Sequence, residues 1–253
     1  MDIIRDTFPL GFRDIDRLDH LTLAAAFDYF QEAAISHAEI LGVGRESMAQ
    51  TGQVWILSRM SVLMERRPKF RETVTVRSWP RGWEKLFALR DYDIRDASDI
   101  PIVRARSCWI ISDMEKHRPL RPQAVMETLP LNEGINALPS GAARLESRNN
   151  LVKTGERKAA YSDIDYIGHV NNARYIQWIQ DAVQPELLEE AEKMRLDINY
   201  LSEIKSGETT DILCAPLGET GSFAFEGRKA DGQAAFRAEL RLWRDQAGRD
   251  TGA

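Results

Sequence analysis

The sequence predicts an α+β protein made of two tandem copies of one unit, each a curved antiparallel sheet wrapped round a single central helix. The first observation behind this is a repeat. Asp14-Ile15-Asp16-Arg17-Leu18-Asp19-His20 returns 149 positions on as Asp163-Ile164-Asp165-Tyr166-Ile167-Gly168-His169, and a helix-like run follows in both places. Gln31, Glu32 and Ala33 in the first run answer to Gln180, Asp181 and Ala182 in the second, with no insertion between. A constant offset of this kind marks duplication of a whole supersecondary unit. The second observation is order: each helical run is followed by strand-like segments only, which disfavours a doubly wound sheet with its alternating helices.

From Leu21 to Leu41 the apolar residues Leu23, Phe27, Phe30, Ala34, Ala38 and Leu41 recur at spacings of three and four, the period of a helix with a buried stripe. Thr22 is placed to cap it, and Gly42 and Gly44 to end it through the left-handed conformation that helix C-termini favour. Ala24, Ala25, Ala26 and Ala33 widen the small-residue surface, so the helix is expected to be enclosed by protein on most sides. Val54 to Met64, Thr73 to Trp79, Leu86 to Ile94 and Ile102 to Ser112 are rich in branched and aromatic residues and read as the strands around it. Turns are expected at Pro68, at Pro80-Arg81-Gly82 and from Asp96 to Pro101. In the last strand Val103, Ala105, Ser107, Trp109 and Ile111 share one face, read as core, while Arg104 and Arg106 share the other, read as wet.

The stretch from His117 to Asn150 is weakly periodic and carries Pro119, Pro122, Pro130 and Pro139, the character of an interdomain linker. The pattern then restarts with a strand near Leu151 to Tyr161 and a helix from Asn172 to about Val183, stopped by Pro185. Strands follow near Leu196 to Ile204, Thr209 to Ala215, Ser222 to Lys229 and Ala234 to Trp243. The expected organisation is a first domain over residues 1–116, a linker over 117–150 and a second domain over 151–253. Two such units in tandem describe a double hotdog.

With 253 residues and 43% hydrophobic content the chain can bury one large core or two ordinary ones, and the repeat favours two. A net charge of -5 argues against nucleic acid as the main partner. Only Cys108 and Cys214 are present, without metal-type spacing, so neither a disulfide framework nor a cysteine-rich zinc site is indicated. Met1 to Phe12 lacks the apolar core of a secretory signal, and no run approaches the roughly 18 apolar residues of a membrane span. The expectation is a soluble cytoplasmic protein.

Tyr161 to Trp178, reading YSDIDYIGHVNNARYIQW, resembles the second-domain signature of acyl-acyl carrier protein thioesterases of the bacterial and plant type. FDYFQEAAISHAEILGVG, VWILSRMSVLMERRPKF, VRSWPRG and ARSCWIISD resemble the family's first-domain blocks, in their usual order, and the likeness covers about Leu21 to Gly207. The resemblance implies hydrolysis of a fatty acyl thioester on an acidic acyl carrier protein, as in fatty acid biosynthesis, with no cofactor and no metal. It places the family's acid at Asp165, its histidine at His169 and a further glutamate at Glu203. It also implies a first domain that houses the acyl chain, which fits the cluster Trp55, Trp79, Trp83 and Trp109, although any one tryptophan there is more simply core packing. Two positions depart from the family pattern. Ile167 stands where an asparagine is common, and Ile204 stands where plant members often carry a cysteine, which disfavours a cysteine mechanism.

The residues themselves support the same chemistry. Thioester hydrolysis needs a base for the attacking water and donors for the oxyanion. Asp165 and His169 lie on the turn feeding a helix whose N-terminus presents free N–H groups and partial positive charge. Asn171 or Asn172 would cap that helix and border the substrate. Each residue has a plainer reading too: Asp163 and Asp165 as turn-formers, His169 as a structural histidine, Glu203 as an exposed acid, the asparagines as caps. Asp16 and His20 form the corresponding pair in the first copy, expected to be a relic. A metal on Asp163, Asp165 and His169 would have too few oxygen ligands. Arg66, Arg67, Lys69, Arg71, Arg118 and Arg121 offer a docking patch for an acidic carrier, or an ordinary solvated surface. A hydroxyacyl dehydratase of the same fold would carry a His-Phe-Pro-Gly turn that is absent here. An acyl-coenzyme A thioesterase and a non-catalytic acyl-binding protein remain as alternatives. As the two copies can pair within one chain, a monomer or a homodimer is expected.

Overall fold

The computed structural model describes residues 2–121 and 123–244, so the linker's Pro122 and the second domain beyond 244 lie outside it. The first repeat contains β1 (Ile4–Pro9), α1 (Leu23–Ile40), α2 (Arg45–Gln50), β2 (Gln53–Met64), β3 (Thr73–Glu84), β4 (Phe87–Arg95) and β5 (Pro101–Asp113). A connecting stretch holds β6 (Pro119–Leu120) and α3 (Gln123–Thr128). The second repeat contains β7 (Val152–Lys158), α4 (Asn172–Asp181), α5 (Pro185–Glu189), β8 (Lys193–Tyr200), β9 (Thr209–Pro216), β10 (Ser222–Lys229) and β11 (Ala234–Trp243).

All these strands form one antiparallel sheet in the order β1-β3-β4-β5-β2-β8-β11-β10-β9-β7, with β6 beside β5. The join is the pairing of β2 with β8, from Arg59 opposite Asn199 to Met64 opposite Met194. It satisfies within one chain the two inner edges that would otherwise invite pairing with another. The helices α1 and α4 pack against each other, and a single apolar cluster runs through both repeats, from Phe27 and Phe30 to Ile176 and Phe236. The duplicated units therefore share one core, where the repeat pointed to two.

Thr22 caps α1 by accepting from Ala25 N at 3.2 Å, worth about 1 kcal/mol. Gly42 takes the left-handed conformation (φ 72°) that ends the helix, whereas Gly44 is extended and precedes α2. Pro80-Arg81-Gly82 is a bulge within β3, the register shifting between Pro80 opposite Arg90 and Gly82 opposite Leu89; the expected turn falls at Glu84 to Phe87. Pro185 opens α5 at its first turn, where a missing N–H costs nothing.

The outer face of β5 is dry at Arg106, while Arg104 stays partly exposed. The linker crosses it, with Trp79 Nε1 donating to Ile135 O at 3.0 Å and Ala137 N to Asp91 Oδ2 at 2.8 Å. Arg106 beneath it is buried and forks onto Asp91, as a charge removed from water must be paired. No helix among the described residues is long and apolar enough to cross a membrane.

Candidate active site

The two Asp-x-Asp turns are built on the same backbone frame. Gly11 N donates to Asp14 Oδ2 at 3.0 Å and Thr22 N to Asp14 O at 3.0 Å; Ala160 N donates to Asp163 Oδ2 at 2.8 Å and Asn171 N to Asp163 O at 2.8 Å. Asp163 is thus a turn-former. Asp16 N reaches His20 O at 2.8 Å, and Asp165 N reaches His169 O at 2.9 Å. Each turn also lies against a second segment, Leu21 N donating to Pro68 O and Val170 N to Ile204 O, both at 2.9 Å. His20 bridges to Lys69 and His169 to Lys205. Arg67 in the first repeat therefore stands where Glu203 stands in the second.

This exchange of charge sign separates the two turns chemically. Asp16 is saturated: Oδ1 accepts from Leu18 N at 2.9 Å and His20 N at 3.0 Å, and Oδ2 takes the Arg67 guanidinium. Burial, then the Arg67 charge, push the His20 imidazole below its ordinary pKa, so it stays neutral. In the second repeat Asp165 Oδ1 accepts only from Ile167 N, at 2.9 Å, and its Oδ2 has no partner among the described residues. Glu203 turns to the histidine instead, with His169 Nε2 and Glu203 Oε2 2.8 Å apart. The structure thus brings His169 and Glu203 together, whereas Asp165 and His169 meet through backbone and not through their side chains. Ile167 serves through its N–H, which any residue but proline supplies.

Glu203 lies beyond the end of β8, not on the strand. Leu201 N and Ser202 N both donate to Ala235 O, at 2.8 and 3.1 Å, and turn the chain out of the ladder. Lys229 Nζ holds the Glu203 carbonyl at 3.0 Å, and His117 Nδ1 lies 3.7 Å from its carboxylate.

Asn171 caps α4, its Oδ1 accepting from Ala173 N at 2.9 Å. Asn172 is the first helical residue, and its N–H has no partner among the described residues. With Ala173 it borders a cavity of about 10 Å³, walled by Phe27, Leu57, Met60, Tyr92 and Trp109 of the first repeat. That is the space of one water. Of the four tryptophans only Trp109 lines it; Trp79 lies under the linker, and Trp55 packs on Trp83 with ring centroids 6.2 Å apart.

Tyr175, one turn into α4, escaped the sequence reading because an aromatic at helical spacing reads as core. Burial raises its phenol's pKa, and the charge of Asp165 adds to this against the hydrogen bond to the Ile204 backbone, so it remains a neutral hydroxyl. The thiols are not poised to attack: burial lifts Cys108, and lifts Cys214 to about 11. Among the described residues no three His, Cys, Asp or Glu side chains gather to hold a metal ion. The basic run also divides. Arg67 is buried against Asp16 and Leu188 O, Arg66 pairs with Glu72 and Asp96, and Lys69 and Arg71 stay exposed. Arg67 is therefore no docking residue.

The sequence profile of the acyl-ACP thioesterase N-terminal domain matches residues 2–127, and that of the C-terminal domain matches residues 147–244. A chloroplastic acyl-[acyl-carrier-protein] hydrolase of Cuphea viscosissima is 25% identical over 237 residues, covering 86% of this chain and 56% of the hydrolase. A chloroplastic oleoyl-acyl carrier protein thioesterase of Coriandrum sativum is 24% identical over 240 residues, covering 87% of this chain and 64% of the thioesterase. The chain spans little more than half the length of the curated relatives it matches. Among solved structures, an acyl-ACP thioesterase from Bacteroides thetaiotaomicron aligns with TM-score 0.86 at 23% identity, covering 95% of this chain and 98% of that one. A 12:0-ACP thioesterase from Umbellularia californica aligns with TM-score 0.84 at 21% identity, covering 96% and 98%. These two share the fold, the double hotdog. With both domain profiles matched in order across most of its length, the chain belongs to the acyl-ACP thioesterase family.

Proposed function

We propose that this protein hydrolyses the thioester of a fatty acyl group carried on acyl carrier protein, releasing the free acid and the carrier thiol. The observation that carries the reading is the contrast between the two turns: Asp16 is tied off by Arg67, while Asp165, on the turn that leads into α4, keeps a free oxygen and Glu203 holds His169. In this reading Asp165 takes a proton from water as the water oxygen bonds to the carbonyl carbon. The C=O electron pair moves onto oxygen at the positive end of α4. As the carbonyl re-forms, the C–S bond breaks and the leaving sulfur takes its proton from His169, which Glu203 orients; the proton on Asp165 then returns through solvent. Direct attack by the carboxylate is the variant of this scheme.

The acyl tail enters between α1 and β2, where Phe27, Leu57 and Met60 must move aside, since the cavity holds only a water's volume. Lys69, Arg71 and Arg118 are exposed and available to an acidic carrier. The site is complete within one chain, which suits a monomer or a homodimer alike. A thiol-release assay with medium- and long-chain acyl groups on acyl carrier protein and on coenzyme A tests the proposal. Faster turnover on the carrier protein supports it; faster turnover on coenzyme A makes the protein an acyl-coenzyme A thioesterase; binding without thiol release makes it an acyl-binding protein.

A further inference from the structure

The two helices are capped across the repeat on one side only. Gln180, near the end of α4, reaches over to α1 and accepts from Ala24 N with Oε1 at 3.1 Å. The repeat offset pairs Gln180 with Gln31 and Ala24 with Ala173, so symmetry would have Gln31 seal Ala173 N in the same way. It does not, because the cap residue differs. Thr22 reaches Ala25 N and leaves Ala24 N to Gln180, whereas the longer Asn171 takes Ala173 N for itself. Gln31 is thereby released, lines the cavity beside Asn172 and Ala173, and makes no side-chain hydrogen bond among the described residues. Gln31 is partly exposed and its amide is committed to no protein group among the described residues, so it is available to a polar group that enters the cavity.

We propose that Gln31, supplied by the first repeat, binds the carbonyl oxygen of the acyl thioester through its side-chain amide, together with the free N–H of Asn172. This rests on the reading of the protein as a thioester hydrolase. It assigns the first repeat a part in the chemistry as well as in holding the tail, and explains why the duplication keeps a glutamine in both copies: one closes a helix end, the other serves the substrate.

The test compares Gln31→Met and Gln31→Glu with Gln180→Met, using thiol release from an acyl-acyl carrier protein and thermal unfolding. Removing one oxyanion donor costs about 100-fold or more in kcat, so both Gln31 variants should lose that much kcat with KM little changed and Tm at or above that of wild type. Gln180→Met should show the converse, kcat within about threefold and a Tm lower by about 2–4 °C for one lost hydrogen bond. Gln31 variants with kcat within about threefold of wild type, or with KM alone raised, overturn the proposal while leaving the hydrolase reading intact. A wild type that releases no thiol overturns both.

Discussion

Arg67→Met is the substitution that most sharply separates a structural from a docking role for the basic run. The guanidinium, 5% exposed, joins the Asp16 carboxylate to the Leu188 carbonyl of α5 at 3.0 Å, and so ties the first repeat's turn to the second repeat. Methionine keeps most of the stem's packing but leaves Asp16 Oδ2 and the Leu188 carbonyl unpaired. Breaking a buried pair costs about 3–5 kcal/mol; because Asp16 stays 20% exposed, the lower figure of about 3 kcal/mol applies. For a chain of this length that is a fall in Tm of about 6–12 °C. Adding Asp16→Asn removes the stranded charge and should restore about half of the loss. The pH dependence has a definite sign. Burial raises the Asp16 pKa, but the His20 N–H, the Arg67 charge and hydrogen bond and the Leu18 N–H outweigh it and hold the carboxyl below its ordinary 3.8. The pair's stabilisation is therefore present above pH 3.8 and fades as pH falls through the lower folded value. The gap between wild type and variant should close in acid. A loss under about 1 kcal/mol at neutral pH, or a selective loss of carrier-linked turnover at unchanged Tm, would make Arg67 a docking residue and not a structural one.

Other substitutions probe other parts of the account. Ile167→Ala should leave kcat within about threefold, because only the backbone N–H is used, while Ile167→Pro removes that charge-assisted bond and should lower kcat at least about tenfold; thiol release decides. Gly227→Ala drives a Cβ into the Phe236 ring and should cost about 1–3 kcal/mol in denaturant unfolding. Gly232→Ala, with positive φ but nothing within 4 Å, should cost about 1 kcal/mol. Met60→Ala and Leu57→Ala open the cavity wall and should shift the preferred acyl chain to greater length, measured as the ratio of kcat/KM between long and medium chains.

What the residues revealed in advance, and what they concealed, divides along physical lines. The α1 stripe, its Thr22 cap and the strands β2, β4, β5 and β8 to β11 were legible because hydrophobic period and turn residues act locally. The bulge at Pro80 to Gly82 carries the residues of a turn, because proline and glycine mark both. Alternation along β5 predicts a wet Arg106, because its burial depends on a linker folded across the sheet, which no local period reports. In the site, Asp165, His169 and Glu203 were named from the motif, but the exchange of Arg67 for Glu203 was not. It appears only when the turn of each repeat is laid against a segment far along the chain. Gln31 was visible as half of a repeated Gln-acid-Ala signature, while its freedom depends on whether Thr22 or Asn171 holds the cap.

The central claim is that Asp165 activates the water that cleaves the thioester. Thiol release from an acyl-acyl carrier protein by Asp165→Asn, alongside a thermal unfolding curve, tests it most directly. The variant should lose about 10³-fold or more in kcat with Tm unchanged, since Asn retains the acceptor for Ile167 N. A folded variant hydrolysing within about tenfold of wild type would contradict it.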